Sequence, residues 1–180
     1  YKEAVGNFEE AIKLDKKQKN LYWTLATCYY YTDNYEKAEE NAKKALEIDK
    51  KNYYAHNVMG LVNTKRGNYD LALANFAESM KNNPKFYDPY VNIGHIYDVK
   101  QEYEKGIPYF EKAIKVDPKQ ELAYKNMGVA YINLGQWEKA IAIWKRAAAV
   151  FSKSPSFKYN VGLQYAKHGN VPEGVKWMQT

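Results

Sequence analysis

The chain has 180 residues, of which 46% are hydrophobic and 27% are charged, so it carries enough apolar material to exclude wholesale disorder. Its net charge of +6 comes from lysine, because Arg66 and Arg146 are the only arginines. Proteins that read nucleic acids favour arginine, whose planar fork bonds guanine edges and phosphates, so nucleic acid is a disfavoured partner. The sequence contains no run of 18 apolar residues and no secretory signal pattern, so we expect no membrane segment within it.

The single cysteine limits the chemistry that this chain can carry. Cys28 alone excludes an internal disulfide and a multi-cysteine zinc site, and it agrees with a reducing compartment such as the cytoplasm without fixing localisation. Equivalent places 34 residues apart hold mostly apolar residues, so we expect Cys28 to be a buried structural thiol.

Small residues recur at an interval of 34 along the whole chain. One series consists of Ala26, Gly60, Gly94, Gly128 and Gly162. A second consists of Ala4, Ala38, Ala72, Gly106, Ala140 and Gly174, and an aromatic series consists of Tyr1, Tyr35, Tyr69, Tyr103 and Trp137. Because these series share one register without an insertion, we interpret the chain as a single repeat array.

Helical spacing of apolar residues within each period predicts two helices per repeat and eleven helices in all. In chain order, the array comprises a second helix of a truncated repeat at 1–18, complete repeats at 19–52, 53–86, 87–120 and 121–154, and an incomplete repeat at 155–180. Turn residues such as Gly67, Gly135 and Gly169 separate the two helices. Gly106 and Pro108 fall early in a second helix, where proline predicts a late or kinked start.

The repeats resemble the tetratricopeptide repeat in segments such as AYKNMGVAYINLGQWEKAIAIWKRAA, and the resemblance covers essentially the whole chain. It implies an all-α, right-handed superhelical solenoid of antiparallel helix pairs. It also implies that the first helix of each pair lines a concave groove, and that the groove binds a partner protein or peptide without catalysis.

Three asparagines are the sharpest candidates for binding in that groove. Helical geometry places the second, sixth, ninth and thirteenth residues of each repeat on one stripe, away from the small eighth residue. Asn92, Asn126 and Asn160 occupy three of the sixth places. A carboxamide can bond both the carbonyl and the amide of an extended peptide. The arrangement resembles the asparagine ladder in the repeat domain of O-linked N-acetylglucosamine transferase, although inherited repeat identity is the alternative.

Further peptide-binding candidates share the inner faces of the first helices. They are Trp23, Tyr30, Tyr54, Val58, Leu61, His95 and Lys125. For Trp23, Tyr30 and Tyr31, stacking against a preceding helix is the competing interpretation. We expect a separate tyrosine series to be buried between helices rather than to form a ligand cage, and this series comprises Tyr29, Tyr97, Tyr131 and Tyr165.

No catalytic or phosphate-binding motif occurs, and the three histidines lie in separate repeats, so we expect neither enzyme activity nor a cofactor or metal. The sequence therefore favours an interaction scaffold for a protein or peptide. Self-association is the first alternative, because Phe8 and Ile12 at the start, and Trp177 and Met178 at the end, leave apolar faces that need cover. A dicarboxylate clamp is incomplete, since Val129 stands where that clamp has an asparagine.

Overall fold

A computed structural model describes residues 1–14 and 19–179. These residues form eleven α-helices and no strand. The helices are α1 Lys2–Leu14, α2 Lys19–Tyr31, α3 Tyr35–Ile48, α4 Tyr53–Lys65, α5 Tyr69–Asn82, α6 Asp88–Val99, α7 Tyr103–Val116, α8 Glu121–Asn133, α9 Trp137–Val150, α10 Pro155–Lys167 and α11 Val171–Gln179. The predicted helix number is confirmed for this part of the chain. The chain divides into unit 1, residues 1–92, and unit 2, residues 93–180.

Each hairpin turn is closed by the same backbone arrangement. One residue adopts a positive φ, and the next residue donates its N–H to a carbonyl in the last turn of the helix. Gly67 at φ 77° and the Asn68 N–H, 2.9 Å from the Asn63 carbonyl, show the arrangement in unit 1. Gln101 reaches φ 59° without being a glycine, which the sequence analysis did not foresee. The turn geometry is therefore set by the orphan carbonyls of the helix end rather than by glycine alone.

Unit 1 is held together by helices packed in chain order and by one apolar core. α1 packs on α2, α2 on α3, α3 on α4 and α4 on α5. The buried residues of α2, α3 and α4 include Leu25, Ala38, Ala42, Val58 and Val62. Val58 is 2% exposed, so its predicted place on the binding surface is wrong and its side chain belongs to the core. The 34-residue register places Val58 with the asparagines, but packing between α2 and α4 covers it.

Unit 2 repeats the same packing with larger side chains. α7 packs on α8, α8 on α9, α9 on α10 and α10 on α11. Large buried side chains of this unit include Ile96, Phe110, Ile114, Tyr124, Trp144 and Phe157. A Cβ atom built on Gly94 would lie 2.5 Å from the Phe110 ring, so this glycine is required by the close approach of the aromatic ring.

The predicted late start of α7 is wrong. α7 begins at Tyr103 and runs without a break through Pro108 to Val116, in register with the other second helices. Pro108 is exposed, so the one carbonyl that loses its helical partner can bond water instead. Gly106 is buried, and a Cβ there would meet the Gly94 carbonyl at 3.0 Å.

Cys28 is 4% exposed, which agrees with the expected buried structural thiol. Burial raises the pKa of this thiol above its usual value and so lowers its thiolate fraction at neutral pH.

Asp98 is an unusual group at the hairpin of α6 and α7. Its Oδ1 atom would lie 3.5 Å from a Cβ on Gly106, so the carboxylate sits against the start of α7. This oxygen is buried and has no hydrogen-bond partner within the described residues. Burial raises the pKa of Asp98 to about 6, because the charged form loses hydration without a compensating partner.

We expect Gly60→Ala to lower the free energy of unfolding by about 1–3 kcal/mol, since overpacking a core is destabilising. The added Cβ would lie 2.5 Å from the ring of Phe76, which is fully buried and has no space to move. Gly6→Ala is the matched control within α1, where nothing lies within 4 Å, and should stabilise by up to about 1 kcal/mol. Urea denaturation followed by circular dichroism measures the free energy of unfolding of both variants. An unchanged value in Gly60→Ala would contradict the close packing.

We expect Asp98→Asn to raise the free energy of unfolding at pH 7 by about 1 kcal/mol. The gain is modest because solvent screens the partly exposed carboxylate. A carboxyl with a raised pKa in the folded state destabilises when it ionises, so the gain should shrink as pH falls from about 6 towards 4. Urea midpoints of both proteins across that range provide the measurement. A gain that stayed constant with pH would show that ionisation of Asp98 is not its cause.

Candidate functional site

An aromatic cluster lies on unit 1, and we define it as Trp23, Tyr54 and Phe86. The rings of Trp23 on α2 and Tyr54 on α4 are stacked, with centroids 4.1 Å apart and an interplanar angle of 15°. Phe86 meets Tyr54 edge to face at 5.2 Å. Trp23 and Tyr54 are only partly buried, so the stack presents aromatic surface to solvent.

The side chain of Tyr31, at the end of α2, is more exposed than those of the aromatic cluster. It is 54% exposed, stacks on Tyr1 at 4.7 Å and meets Tyr30 edge-on at 5.3 Å. Tyr30 is half-buried, and burial followed by the nearby Tyr31, Tyr35 and Asp33 raises its pKa to about 12. Tyr30 therefore meets aromatic rings of its own hairpin, Tyr31 on α2 and Tyr35 on α3, rather than rings of a preceding helix.

A carboxylate lies beside the aromatic cluster. Asp88, the first residue of α6, is partly buried, and burial raises its pKa against the lowering effect of a hydrogen bond from Tyr87. Its negative charge contributes to the raised pKa of both Tyr31 and Tyr54. Asp88 is thus electrostatically close to tyrosines from two different helices. The spacing of the second residues placed Asp88 on this face, but its burial was not visible in the sequence.

Asn92 is held by another residue of unit 1. Its Nδ2 donates to the Oδ1 atom of Asn57 at 3.2 Å, and Asn57 is buried. Asn57 lies one place earlier in its repeat than Asn92 does, so the 34-residue register did not pair the two. The bond fixes the orientation of the Asn92 amide and leaves its oxygen and one N–H for a ligand.

Unit 2 contains the other two predicted asparagines. Asn126 on α8 and Asn160 on α10 are both partly exposed. Each has an exposed neighbour on its own helix, Val129 at 42% and Tyr159 at 54%. Lys125 and His95 are also exposed in this unit, and Leu61 is partly exposed in unit 1. These side chains are available to a ligand, in contrast to Val58.

Tyrosines at the eleventh place of the repeats form a second surface that the sequence analysis assigned only to packing. Tyr29 is buried, as expected, whereas Tyr97, Tyr131 and Tyr165 are only partly buried. Lysine ammonium groups lie over three of these rings, with Nζ to centroid distances of 5.0 Å for Lys37 on Tyr29, 5.6 Å for Lys139 on Tyr131 and 4.9 Å for Lys145 on Tyr165. A lysine eight residues after Tyr29 and after Tyr131 was a signal available in the sequence for two of these contacts, whereas Lys145 precedes Tyr165 and lies outside that spacing.

Two cavities open beside these tyrosines. The larger, about 580 Å³, lies in unit 1 and includes Tyr29, Glu9, Lys37 and Lys44. The smaller, about 310 Å³, lies in unit 2 and is lined by Tyr97, Lys105, Pro108, Tyr109 and Lys112. In both cavities opposite charges are already paired, Lys37 with Glu9 in the larger and Lys105 with Glu102 beside the smaller. The smaller cavity also includes Lys112, whose Nζ lies 5.8 Å from the centroid of the Tyr109 ring.

No helix in the described part of the chain is long and apolar enough to cross a membrane. Residues 1–14 and 19–179 bring no three histidine, cysteine or acidic side chains together as a metal site.

Comparisons with known proteins agree with the repeat pattern. Models described as tetratricopeptide repeat match residues 1–61, 87–120 and 109–142. No curated protein sequence matches the chain.

Solved structures share the fold over most of the chain. The MamA protein is 25% identical, with a TM-score of 0.68 over 83% of this chain and 82% of that chain. YrrB, described as a TPR protein with an unusual peptide-binding site, is 20% identical, with a TM-score of 0.69 over 96% of this chain and 89% of that chain. PilF of Pseudomonas aeruginosa is 18% identical, with a TM-score of 0.79 over 91% of this chain and 74% of that chain.

These likenesses confirm the predicted fold class, an all-α solenoid of antiparallel helix pairs with a 34-residue repeat. Together with the matching repeat models, they show that the chain belongs to the tetratricopeptide-repeat family, whose members are generally non-catalytic scaffolds for protein interactions.

Proposed function

We propose that this protein is a non-catalytic scaffold that binds an extended segment of a partner protein along the exposed faces of its first helices. The observation that carries the proposal is the recurrence of partly exposed Asn126 and Asn160 at one place of successive first helices. Each carboxamide can accept from a peptide N–H and donate to a peptide carbonyl, so recognition would depend on the backbone of the ligand. The similarity to YrrB, a protein described as having a peptide-binding site, supports the proposal.

The flanking residues of unit 2 suit the same purpose. Val129 and Tyr159 offer exposed apolar surface next to the two amides. Lys125, directly before Asn126, adds an exposed positive charge. Peptide side chains would therefore rest on apolar surface while the amides hold the backbone, and an acidic residue in the peptide would be favoured near Lys125.

Shared repeat identity remains the competing explanation of the asparagine register, and a double substitution separates the two. We expect Asn126→Ala combined with Asn160→Ala to weaken binding of peptides selected from a random phage-displayed library by about 2 kcal/mol, or about 30-fold, at about 1 kcal/mol per lost amide. Titration calorimetry with a selected peptide measures the change.

Asn75→Ala supplies the matched control. Asn75 lies on α5, a second helix, where its Nδ2 donates to the Leu71 carbonyl at 2.7 Å. This variant should bind the selected peptide like the wild type. Equal affinity of the wild type and the double variant would remove the asparagines from the proposal.

Self-association is a second candidate, favoured by exposed apolar side chains on α1 and α11. Leu14 is 89% exposed, and Val175 is 44% exposed. None of the residues of α1 is buried. Contacts between such faces in a head-to-tail arrangement would add one copy after another.

We expect the sedimentation coefficient of the wild type to rise with protein concentration and that of Leu14→Lys combined with Val175→Lys to rise less, because lysine at either face disfavours burial. Analytical ultracentrifugation over a concentration series compares the two. A concentration-independent monomer for the wild type would contradict this second candidate.

A further inference from the structure

The two cavities occupy the same place in the repeat, one in each unit. The residues that recur two 34-residue periods apart are a tyrosine of the first helix and two lysines of the second. They are Tyr29, Lys37 and Lys44 in the larger cavity and Tyr97, Lys105 and Lys112 in the smaller one. Between the lysines, Glu40 and Asn41 of unit 1 correspond to Pro108 and Tyr109 of unit 2. The two cavities therefore share their lysines but not the residues between them.

The proline in unit 2 stands where one lysine of unit 1 has its partner. In unit 1, Lys44 Nζ lies 2.6 Å from Oε1 of Glu40, four residues earlier on the same helix. The equivalent place before Lys112 is Pro108, which carries no charge. Within the described residues Lys112 forms no ion pair, and its ammonium lies over the Tyr109 ring instead. The smaller cavity therefore contains a positive charge that no carboxylate in this part of the chain neutralises.

The same cavity has an aromatic and apolar lining. The rings of Tyr97 on α6 and Tyr109 on α7 are stacked, with centroids 5.8 Å apart and an interplanar angle of 28°. A Cβ on Gly106 would lie 3.3 Å from the Tyr97 Cβ, so close packing of the two helices holds this tyrosine in place. Both rings are partly buried, and Pro108 beside them is exposed. Burial, followed by the nearby Tyr97, raises the pKa of Tyr109, so its hydroxyl stays protonated at neutral pH and can donate a hydrogen bond.

The two lysines border this lining on one face of α7. Lys105 and Lys112 are seven residues apart, which is about two helical turns, and both are exposed. Lys105 already pairs with Glu102, with its Nζ 2.6 Å from Oε2. A ligand at this place therefore meets one unpaired ammonium, one shared ammonium and two aromatic rings. A negative group attached to an apolar body complements such a surface.

We propose that the cavity formed by Tyr97, Pro108, Tyr109 and Lys112 binds an acidic segment of a partner protein, in which a carboxylate side chain stands next to an apolar one. The carboxylate pairs with the Lys112 ammonium, as Glu40 pairs with Lys44 in unit 1. The apolar side chain covers the tyrosine rings and Pro108. The cavity volume of about 310 Å³ lies at the small end of ligand pockets, which suits one or two side chains.

This surface is separate from the exposed faces of the first helices proposed above to hold an extended segment. Tyr97 lies about 200° round α6 from His95, because successive helical residues are rotated by about 100°. Pro108, Tyr109 and Lys112 belong to α7, a second helix. Loss of binding at this cavity and loss of binding at the asparagines would therefore be distinct outcomes.

The probe is acetyl-phenylalanyl-glutamate amide, titrated into the full chain with the Tyr109 backbone amide resonance as the reporter. The comparison probes are the matching glutamine dipeptide, which has the same shape without the charge, and inorganic phosphate, which has the charge without an apolar part. We expect a saturable shift with the glutamate probe and binding at least about fivefold weaker for the other two. Equal or tighter binding of either comparison probe would overturn the site, as would no shift with the glutamate probe.

One lysine substitution assigns the charge pairing to this cavity. We expect Lys112→Gln to weaken the glutamate probe by at least about fivefold, as for loss of a charge-assisted contact. Lys115→Gln is the matched control, because Lys115 is an exposed lysine of the same helix and does not line the cavity. It should leave the affinity unchanged. An equal loss in both variants would show general charge attraction and overturn the site.

A carboxylate supplied by the chain itself gives a second test. Pro108→Glu places a glutamate four residues before Lys112, as Glu40 stands before Lys44, and also restores a backbone donor to α7. Pro108→Gln restores the same donor without the charge and is the matched control. The glutamate probe should bind Pro108→Glu at least about fivefold more weakly than Pro108→Gln, because Lys112 is then already paired. Equal affinities of these two variants would overturn the pairing of the ligand with Lys112.

Discussion

The close approach of the two helices of each hairpin is the constraint on which the other features depend. A glycine or alanine at the eighth place of the repeat faces a large side chain of the second helix, as Gly60 faces Phe76 and Gly94 faces Phe110. Because the aromatic ring fills the space where a Cβ would be, both helices keep a fixed separation and a fixed rotation about their axes. On the opposite face of the first helix, side chains such as Asn126 and Asn160 remain partly exposed.

This fixed rotation explains why tyrosine and tryptophan serve two purposes in one chain. The rings at the eleventh place are buried or partly buried, and lysine ammonium groups lie over three of them, as that of Lys145 lies over Tyr165. The rings at the inner face, such as Trp23 and Tyr54, stack on one another instead and stay partly exposed. Aromatic side chains at both kinds of place bury large area at a low cost in side-chain entropy.

The 34-residue period made the helices and their order predictable, since small residues at one spacing leave few alternatives to helix pairs. Burial within the first helices was harder to predict. Val58 and Asn92 occupy the same place in the period, yet Val58 lies in the core and Asn92 donates to Asn57. These differences arise from the packing of neighbouring first helices, which a register along one chain does not describe. The start of α7 at Tyr103 likewise depends on the exposure of Pro108, which the register does not describe.

The short turn of each hairpin also affects folding, because the contacts between its two helices are local in the sequence. Gly60 and Phe76 lie only 16 positions apart in the sequence, so closing the hairpin costs little chain entropy. A hairpin of this kind can open and close as a unit while its neighbours stay folded. In an array held together by contacts between neighbours, the free energy of local unfolding can then differ from one repeat to the next. A ligand that spans two first helices would couple the local unfolding of two hairpins that otherwise open separately.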